Sequence, residues 1–312
     1  GYRLDGDLAS GALYAAGERD DLDRLESLAP VDGEYRLRVA NDLQEIDHIN
    51  RVSLVIVDAP AEAEVLPTPA GTVAALRHAA APIAARDVAG GDVLPALAAA
   101  DGRAVSASAR SGRDTHVRWR LSFARPTTRR AWLVVRGHST PFAEAAFMRY
   151  LATMGRGVRP LLESLRDDPA CYRRELDAEI ARMGFPLRVK IDGAEALSLP
   201  PVSPAIARSQ AVAVELPAGD GPVSLTLEAT DRFWELDQVQ LAPREELPVE
   251  TRTLRPEGAR YADGRDARAV VSDDDTRRAV LRTGEHVDVT FRAPPSAPGR
   301  VRTALVSLRG FY

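Results

Sequence analysis

A chain of 312 residues, 45% apolar and 28% charged, can bury about three quarters of its unfolded surface, enough for one large or two ordinary domains without staples. Its 41 basic and 45 acidic residues leave a formal net charge of −4, which argues against nucleic acid as a partner. The single cysteine, Cys171, excludes an internal disulfide and a thiolate metal cluster, and no apolar run reaches the roughly 20 residues of a bilayer-crossing helix.

In chain order, Asp20 to Leu28 carries Leu22, Leu25 and Leu28 at helical spacing and reads as a short helix or turn. Residues 34–58 then show an alternating strand, a turn at Asp42 and a second strand through Val57. The same order recurs at 222–242, where Leu225 and Leu227 precede Asp231, and Glu235-Leu236-Asp237 repeats Glu45-Ile46-Asp47. Pro60 closes the first unit, because proline has no N–H to give to a ladder. Residues 61–114 are rich in Ala, Gly and Pro and read as an irregular excursion with one short helix near Val93 to Ala100.

Val117, Trp119, Leu121 and Phe123 alternate with His116, Arg118, Arg120 and Ser122, the pattern of a half-buried strand with a basic outer face. Ala131 to Arg136 reads as its neighbour. The period then lengthens. Thr140 caps a helix with Pro141 at its first position, and Phe142, Ala146, Phe147, Tyr150, Leu151 and Met154 form one stripe that Gly155 ends. A helix over 158–166 and one from Asp168 follow, the latter burying Tyr172, Leu176, Ile180 and Met183 with Gly184 as its cap.

Strands return at Leu187–Ile191, Ala211–Leu216, Val223–Leu227 and Trp234–Leu241. A proline-rich linker is expected over Pro243–Pro256, then strands near Arg268–Ser272, Arg278–Arg282, His286–Phe291 and Arg300–Leu308, with Thr283-Gly284 as a hairpin turn. The fold expected is mainly β with a helical insert: two antiparallel regions resembling β-sandwiches or jelly rolls. The expected division is 1–140, with the excursion at 61–114, then the helical insert 141–184, then 185–312.

No constellation converges on a chemistry. Asp42 with Asp47 and Asp231 with Asp237 suggest glycosidase dyads, but aspartates at strand turns bond their own backbone. Asp5-Gly6-Asp7, Asp263-Gly264-Arg265-Asp266 and Asp273-Asp274-Asp275 offer oxygen ligands for calcium without the spacing of an EF-hand loop, and read as solvated turns. His48, His78, His116, His138 and His286 lack metal-ligand spacing, and Ser139 beside His138 has no placed acid. Trp119, Trp132 and Trp234 could stack on sugar rings but sit beside apolar neighbours. No catalytic, cofactor or metal residue is therefore assigned. The arginine face of 115–120, with Arg125, Arg129 and Arg130, is the candidate contact for an acidic partner or lipid head groups, or else a solvated face.

Three collinear stretches carry a resemblance: Asn41, Asp42, Glu45, His48, Ile49, Asn50, Val57, Asp58 and Pro60; Phe233 to Asp237; and Arg309 to Tyr312, preceded by Asp263 to Asp266. Together they resemble uncharacterised β-rich modules of bacterial envelope and secreted proteins, with Ala59 where many relatives have His. The resemblance implies an extracytoplasmic setting, periplasmic or at the cell surface, and carries over no catalytic residue. The chain starts at Gly1, and a processed or truncated start with a lipoprotein-like anchor upstream is expected. The function expected is that of a non-enzymatic structural or interaction subunit, without cofactor, docked on protein partners in a membrane-associated assembly. The alternative is a carbohydrate-binding or glycan-hydrolysing module.

Overall fold

The computed structural model describes residues 19–42, 46–106, 108, 115–157, 174, 178–202 and 206–311. The chain is mainly β with antiparallel sheets and a helical insert, and it divides into two compact units. One unit comprises the described parts of Gly1–Pro67 and Leu247–Tyr312, the other those of Thr68–Val158 and Ala170–Glu246. The units are thus discontinuous in sequence, whereas boundaries at 140 and 184 would divide the chain serially. The second crossing, between Glu246 and Leu247, falls in the stretch expected to be a linker.

The first unit opens with β1 (Arg19–Leu25), β2 (Glu34–Ala40), β3 (Ile46–Pro60) and β4 (Glu64–Pro67). The second unit follows with β5 (Val73–Leu76), β6 (Ala84–Asp87), β7 (Val105–Ser106), β8 (His116–Phe123), β9 (Arg130–Ser139), β10 (Leu187–Ile191), β11 (Ala194–Leu199), β12 (Arg208–Glu215), β13 (Val223–Thr230) and β14 (Trp234–Pro243). The first unit is then completed by β15 (Glu250–Leu254), β16 (Gly258–Tyr261), β17 (Ala279–Arg282), β18 (His286–Arg292) and β19 (Arg300–Phe311).

In the first unit a five-stranded sheet runs β1-β19-β3-β15 with β17 also on β3, and a three-stranded sheet runs β16-β18-β2. Their inner faces share one core in which Leu54 and Ile56 of β3, Leu281, Val289, Phe291 and Val306 are buried. Sequence spacing misled at three places here. The leucines of 22–28 do not make a helix, because residues 19–25 pair along their whole length with β19. Arg268–Val271 is a helical turn rather than a strand: Asp266 Oδ1 accepts from the Arg268 amide at 2.9 Å, supplying the N-terminal acceptor that a helix start needs. Thr283-Gly284 does not join a hairpin, since β17 pairs with β3 and β18 with β2. The Gly284 amide donates to the Asn41 carbonyl at 2.7 Å and the Asn41 amide to that of Glu285 at 3.0 Å, which directs the two strands to opposite sheets.

In the second unit the sheets run β11-β10-β13-β8-β6 and β12-β9-β14-β7. β9 is accordingly not the neighbour of β8; it lies in the other sheet between β12 and β14. The region 61–106 is less irregular than composition implied, with four short strands and a helical turn at Leu94–Leu97. The two repeated strand–turn–strand units play the same part in both sandwiches. β2 and β3 go to opposite sheets, as do β13 and β14, so each unit is a corner from one layer to the other.

The helical insert follows β9. Thr140 Oγ1 accepts from the Ala143 amide at 3.2 Å and Pro141 opens the helix Pro141–Met154. Its buried face is narrower than the apolar stripe: Ala143 and Phe147 are buried, whereas Phe142 is 49% exposed. Phe147, Phe185 and Phe233 stack in sequence, with centroids 5.7 and 4.8 Å apart, fixing the insert to the start of β14. Residues 178–182 are helical, Ile180 is buried, and Gly184 at φ 78° turns the chain into β10. A side chain at Gly184 would place its Cβ 2.3 Å from Thr230 Oγ1. Asp5, Asp7, Glu45, residues 158–166, Cys171, Tyr172, Leu176 and Tyr312 lie outside the described residues.

Candidate functional site

The alternation of β8 places His116, Arg118 and Arg120 on the outer face of the five-stranded sheet of the second unit, while Val117, Trp119 and Leu121 are buried beneath. Antiparallel register aligns these side chains with those of neighbouring strands, because directly opposite residues share a face. One row reads Ser198, Arg188, Glu228, Arg118 across β11, β10, β13 and β8. The next reads Glu195, Lys190, Thr226, Arg120, Arg86, ending opposite Asp92. The cations thus lie on both sides of β13, and outer carboxylates, Glu195 and Asp92, stand at the ends of the second row.

Glu228 is the centre of the first row, with a side chain only 3% exposed. Arg118 Nε donates to its Oε2 at 3.0 Å, Lys190 Nζ to the same oxygen at 3.2 Å, and Arg188 Nη2 to Oε1. Burial alone would raise this carboxyl, but the hydrogen bonds from Arg118 and Lys190 and the charge of Arg188 outweigh it and hold Glu228 below the usual range. One carboxylate therefore answers three cations. Arg120, exposed in the next row, makes no hydrogen bond or ion pair among the described residues.

A cleft of about 520 Å³ opens beside Glu228, where the face meets the end of the helical insert. Thr115, His116, Ser198, Glu228 and Thr230 contribute its polar lining, and Arg182 and Gly184 its far wall. Arg182 is held by Glu179, with Nε 2.8 Å from Oε2, and Glu179 is pulled down to about 2 by hydrogen bonds from Arg182 and Tyr150. No Phe, Tyr or Trp ring among the described residues lines the cleft.

The other arginines grouped with this face on sequence do not join it. Arg125 donates to the carbonyls of Gly221 and Pro217, each at 2.7 Å, and Arg129 to that of Leu216 at 3.0 Å, so both pin the 216–221 loop. Arg130 begins β9 in the other sheet. Trp119 and Trp234 are each 1% exposed, and the Trp234 indole donates to the Phe185 carbonyl at 2.7 Å; both are core. Trp132 is covered by Arg244, whose guanidinium carbon lies 4.7 Å from the ring centroid.

The acidic pairs are not dyads. Asp237 is buried, with Arg136 Nε 2.8 Å from Oδ2 and the Gly102 amide 2.9 Å from Oδ1, while Asp231 pairs with Arg232 at 3.6 Å. In the first unit Asp42 is exposed, whereas Asp47 is half-buried and burial pushes it up to about 6. Asp58, which no dyad included, is 2% exposed and meets Arg302 through both carboxylate oxygens, each at 2.7 Å.

The acidic turns are spoken for by arginines. Asp263 pairs with Arg265 at 2.6 Å, Asp273 with Arg255 at 2.9 Å and Asp274 with Arg309 at 3.0 Å. Asp275 meets Arg277 through Oδ2 at 2.8 Å. No group of three His, Cys, Asp or Glu side chains is placed to hold a metal among the described residues.

Sequence reasoning missed one polar cluster on β7, β9 and β14. His138 Nε2 is 3.3 Å from Glu235 Oε2, and Ser106 Oγ donates to Glu235 Oε1 at 2.8 Å. The hydroxyl meets the carboxylate rather than the imidazole, so the nucleophile–base contact of a triad is not made. Ser139 faces elsewhere, its Oγ accepting from the Val202 amide at 3.1 Å.

No protein-family model matches the chain, and no curated protein matches it.

Proposed function

We propose that the chain is a non-catalytic interaction module that presents the outer face of the five-stranded sheet in its second unit to an acidic partner. The observation that carries this reading is the clustering of Arg86, Arg118, Arg120, Arg188 and Lys190 on one sheet face, on the strands to either side of β13, in a chain whose net charge is −4. Glu228 neutralises only part of that charge, so the local field attracts anions although the whole molecule repels them at long range. The role is that of an accessory or scaffold subunit. An extracytoplasmic setting in a bacterial envelope assembly is part of the same proposal and rests on the resemblance of the Asn41–Pro60, Phe233–Asp237 and Arg309–Tyr312 stretches.

A carbohydrate-binding role is the second reading, favoured by the polar cleft beside Glu228. The deciding measurement is retention of wild-type chain and an Arg86→Gln/Arg120→Gln variant on polyglutamate and acidic polysaccharide resins over a salt series. Retention that falls with salt and is lost in the variant is expected. Equal retention of both would put the partner surface elsewhere, and turnover abolished by one carboxylate substitution in a folded chain would overturn the non-catalytic assignment.

A further inference from the structure

We infer that this face takes an acidic glycan: the cleft receives a sugar ring through its hydroxyls, and the cations beside it hold the sugar's carboxylate. The inference rests on the acidic-partner reading and narrows it to one class of ligand.

Three observations select that class. The cleft, at about 520 Å³, is within the size range of small-ligand sites, and its lining mixes hydroxyl, imidazole and charged groups with the apolar surface of Ala181, Met183, Pro186 and Ala229. Thr115, His116, Ser198 and the rim of Glu228 offer both donors and acceptors, the mixture that a ring carrying several hydroxyls can satisfy.

The second observation is the placement of charge. Arg188 and Glu228 belong to the cleft and to the cationic row at once, so a ring in the cleft has its substituents directed along the sheet toward Lys190, Thr226 and Arg120. Lys190 and Arg120 flank Thr226 on either side in register, about 5 Å from it per strand spacing. Lys190 is already turned to Glu228, with Nζ 3.2 Å from Oε2. Arg120 has no partner within the described residues, so its planar fork is available for a two-point contact with a carboxylate.

The third is what the face lacks for other acidic partners. Over the cationic rows β10 and β13 are paired on both sides, so an extended peptide laid across the middle of the face meets only side chains there. With no Phe, Tyr or Trp in the cleft among the described residues, a neutral sugar would forgo the stacking that such rings supply. The carboxylate is therefore the group that fixes the ligand.

The test is calorimetric titration of the full chain with oligogalacturonate, with the same oligomer reduced at its carboxyls, and with polyglutamate. Two variants accompany the wild type. Arg120→Gln removes the unpaired fork, and Ser198→Tyr fills the cleft from its exposed wall on β11; circular dichroism and melting temperature verify that both remain folded. Oligogalacturonate should bind with salt-sensitive affinity, each variant should weaken it by about ten-fold or more, and the reduced oligomer should bind far more weakly than the acidic one. Polyglutamate binding that depends on Arg120 and ignores Ser198→Tyr, with no oligogalacturonate binding, would overturn the glycan assignment and leave the acidic-partner reading standing. Absence of binding to either anion, or binding indifferent to Arg120→Gln, would overturn both.

Discussion

The buried pair between Asp58 of β3 and Arg302 of β19 should be the costliest single contact to cut in the first unit. The two residues face each other across the ladder, with side chains 2% and 15% exposed. Arg302 uses Nε and Nη2 on the two carboxylate oxygens, each at 2.7 Å, and gives its remaining donors to the carbonyls of Pro294 and Pro295 at 2.8 Å. Asp58→Ala leaves a guanidinium in low dielectric with two carbonyls and the neighbouring Tyr35 in place of its carboxylate, a loss of about 3–5 kcal/mol, against a typical domain stability of about 5–15 kcal/mol.

Urea unfolding followed by far-ultraviolet circular dichroism measures the loss, and amide exchange in β3 and β19 locates it. Replacing both partners by apolar residues, Asp58→Leu with Arg302→Met, should cost less than Asp58→Ala alone, because it leaves no unpaired charge. The pH dependence follows from the same contact. The hydrogen bond from Arg302 holds the Asp58 carboxyl below the usual range, against the opposing effect of burial. Its stabilisation is therefore complete above the unfolded value near 4 and is lost as pH falls through the lower folded value. Asp58→Asn should flatten that acid limb. A cost below about 1 kcal/mol for Asp58→Ala, or a double variant as unstable as the single ones summed, would refute the reasoning.

Asp47 should behave in the opposite sense: burial pushes it up to about 6, so the folded form retains a proton that the unfolded chain has lost, and stability declines as pH rises from about 4 to 6. Asp47→Asn should remove that decline and raise the melting temperature at pH 7, by at most about 3 kcal/mol of stability before solvent screening. Gly310→Ala should lower stability by roughly 1–3 kcal/mol in thermal denaturation, because its Cβ would lie 2.4 Å from the His48 carbonyl at the bulge of β19 on β3. Trp234→Phe should cost about 1–3 kcal/mol in thermal denaturation, since the Phe185 carbonyl loses its indole donor and the smaller ring leaves part of the buried site unfilled.

The parts of the fold carried by local pattern were legible. Alternation gave the outward arginines of β8 and the bounds of β10, and the Thr140, Pro141 and Gly155 signals bounded the helix that follows β9. What failed were pairings set by distant residues. The turn at Thr283-Gly284 has hairpin chemistry, yet Asn41, from the other end of the chain, takes the Gly284 amide and the strands part. The strand β1 carries two of three leucines at helical spacing, Leu22 and Leu25, yet its partner is β19, far away in sequence. The site was half legible for the same reason. Arg118 and Arg120 read as an outer face from β8 alone, but Glu228 reads as an ordinary outward residue of β13. It is buried because Arg118, Arg188 and Lys190 arrive over it from two neighbouring strands, and that register is not local information.

The repeated corner explains why its acids are poor candidates for chemistry and why the outer face is a better one. Asp47 and Asp237 occupy corresponding places in the two repeats, but their surroundings differ: Asp237 is pinned by Arg136 of the adjacent strand and by the Gly102 amide, whereas burial without such help drives Asp47 toward its neutral form. In the first unit the pin is supplied further along the same strand, by Asp58 with Arg302 of its neighbour. Both pins do two jobs at once. Arg302 also gathers the carbonyls at Pro294 and Pro295, and Asp237 also holds the loop at Gly102. An acid committed to an arginine on one side and a loop on the other cannot exchange protons or ligands without loosening the sandwich. Arg120 is under no such constraint, since it makes no hydrogen bond or ion pair among the described residues. A sandwich that spends its buried acids on corners leaves Arg120, which has no partner among the described residues, as the group on which the proposed anion contact is best tested.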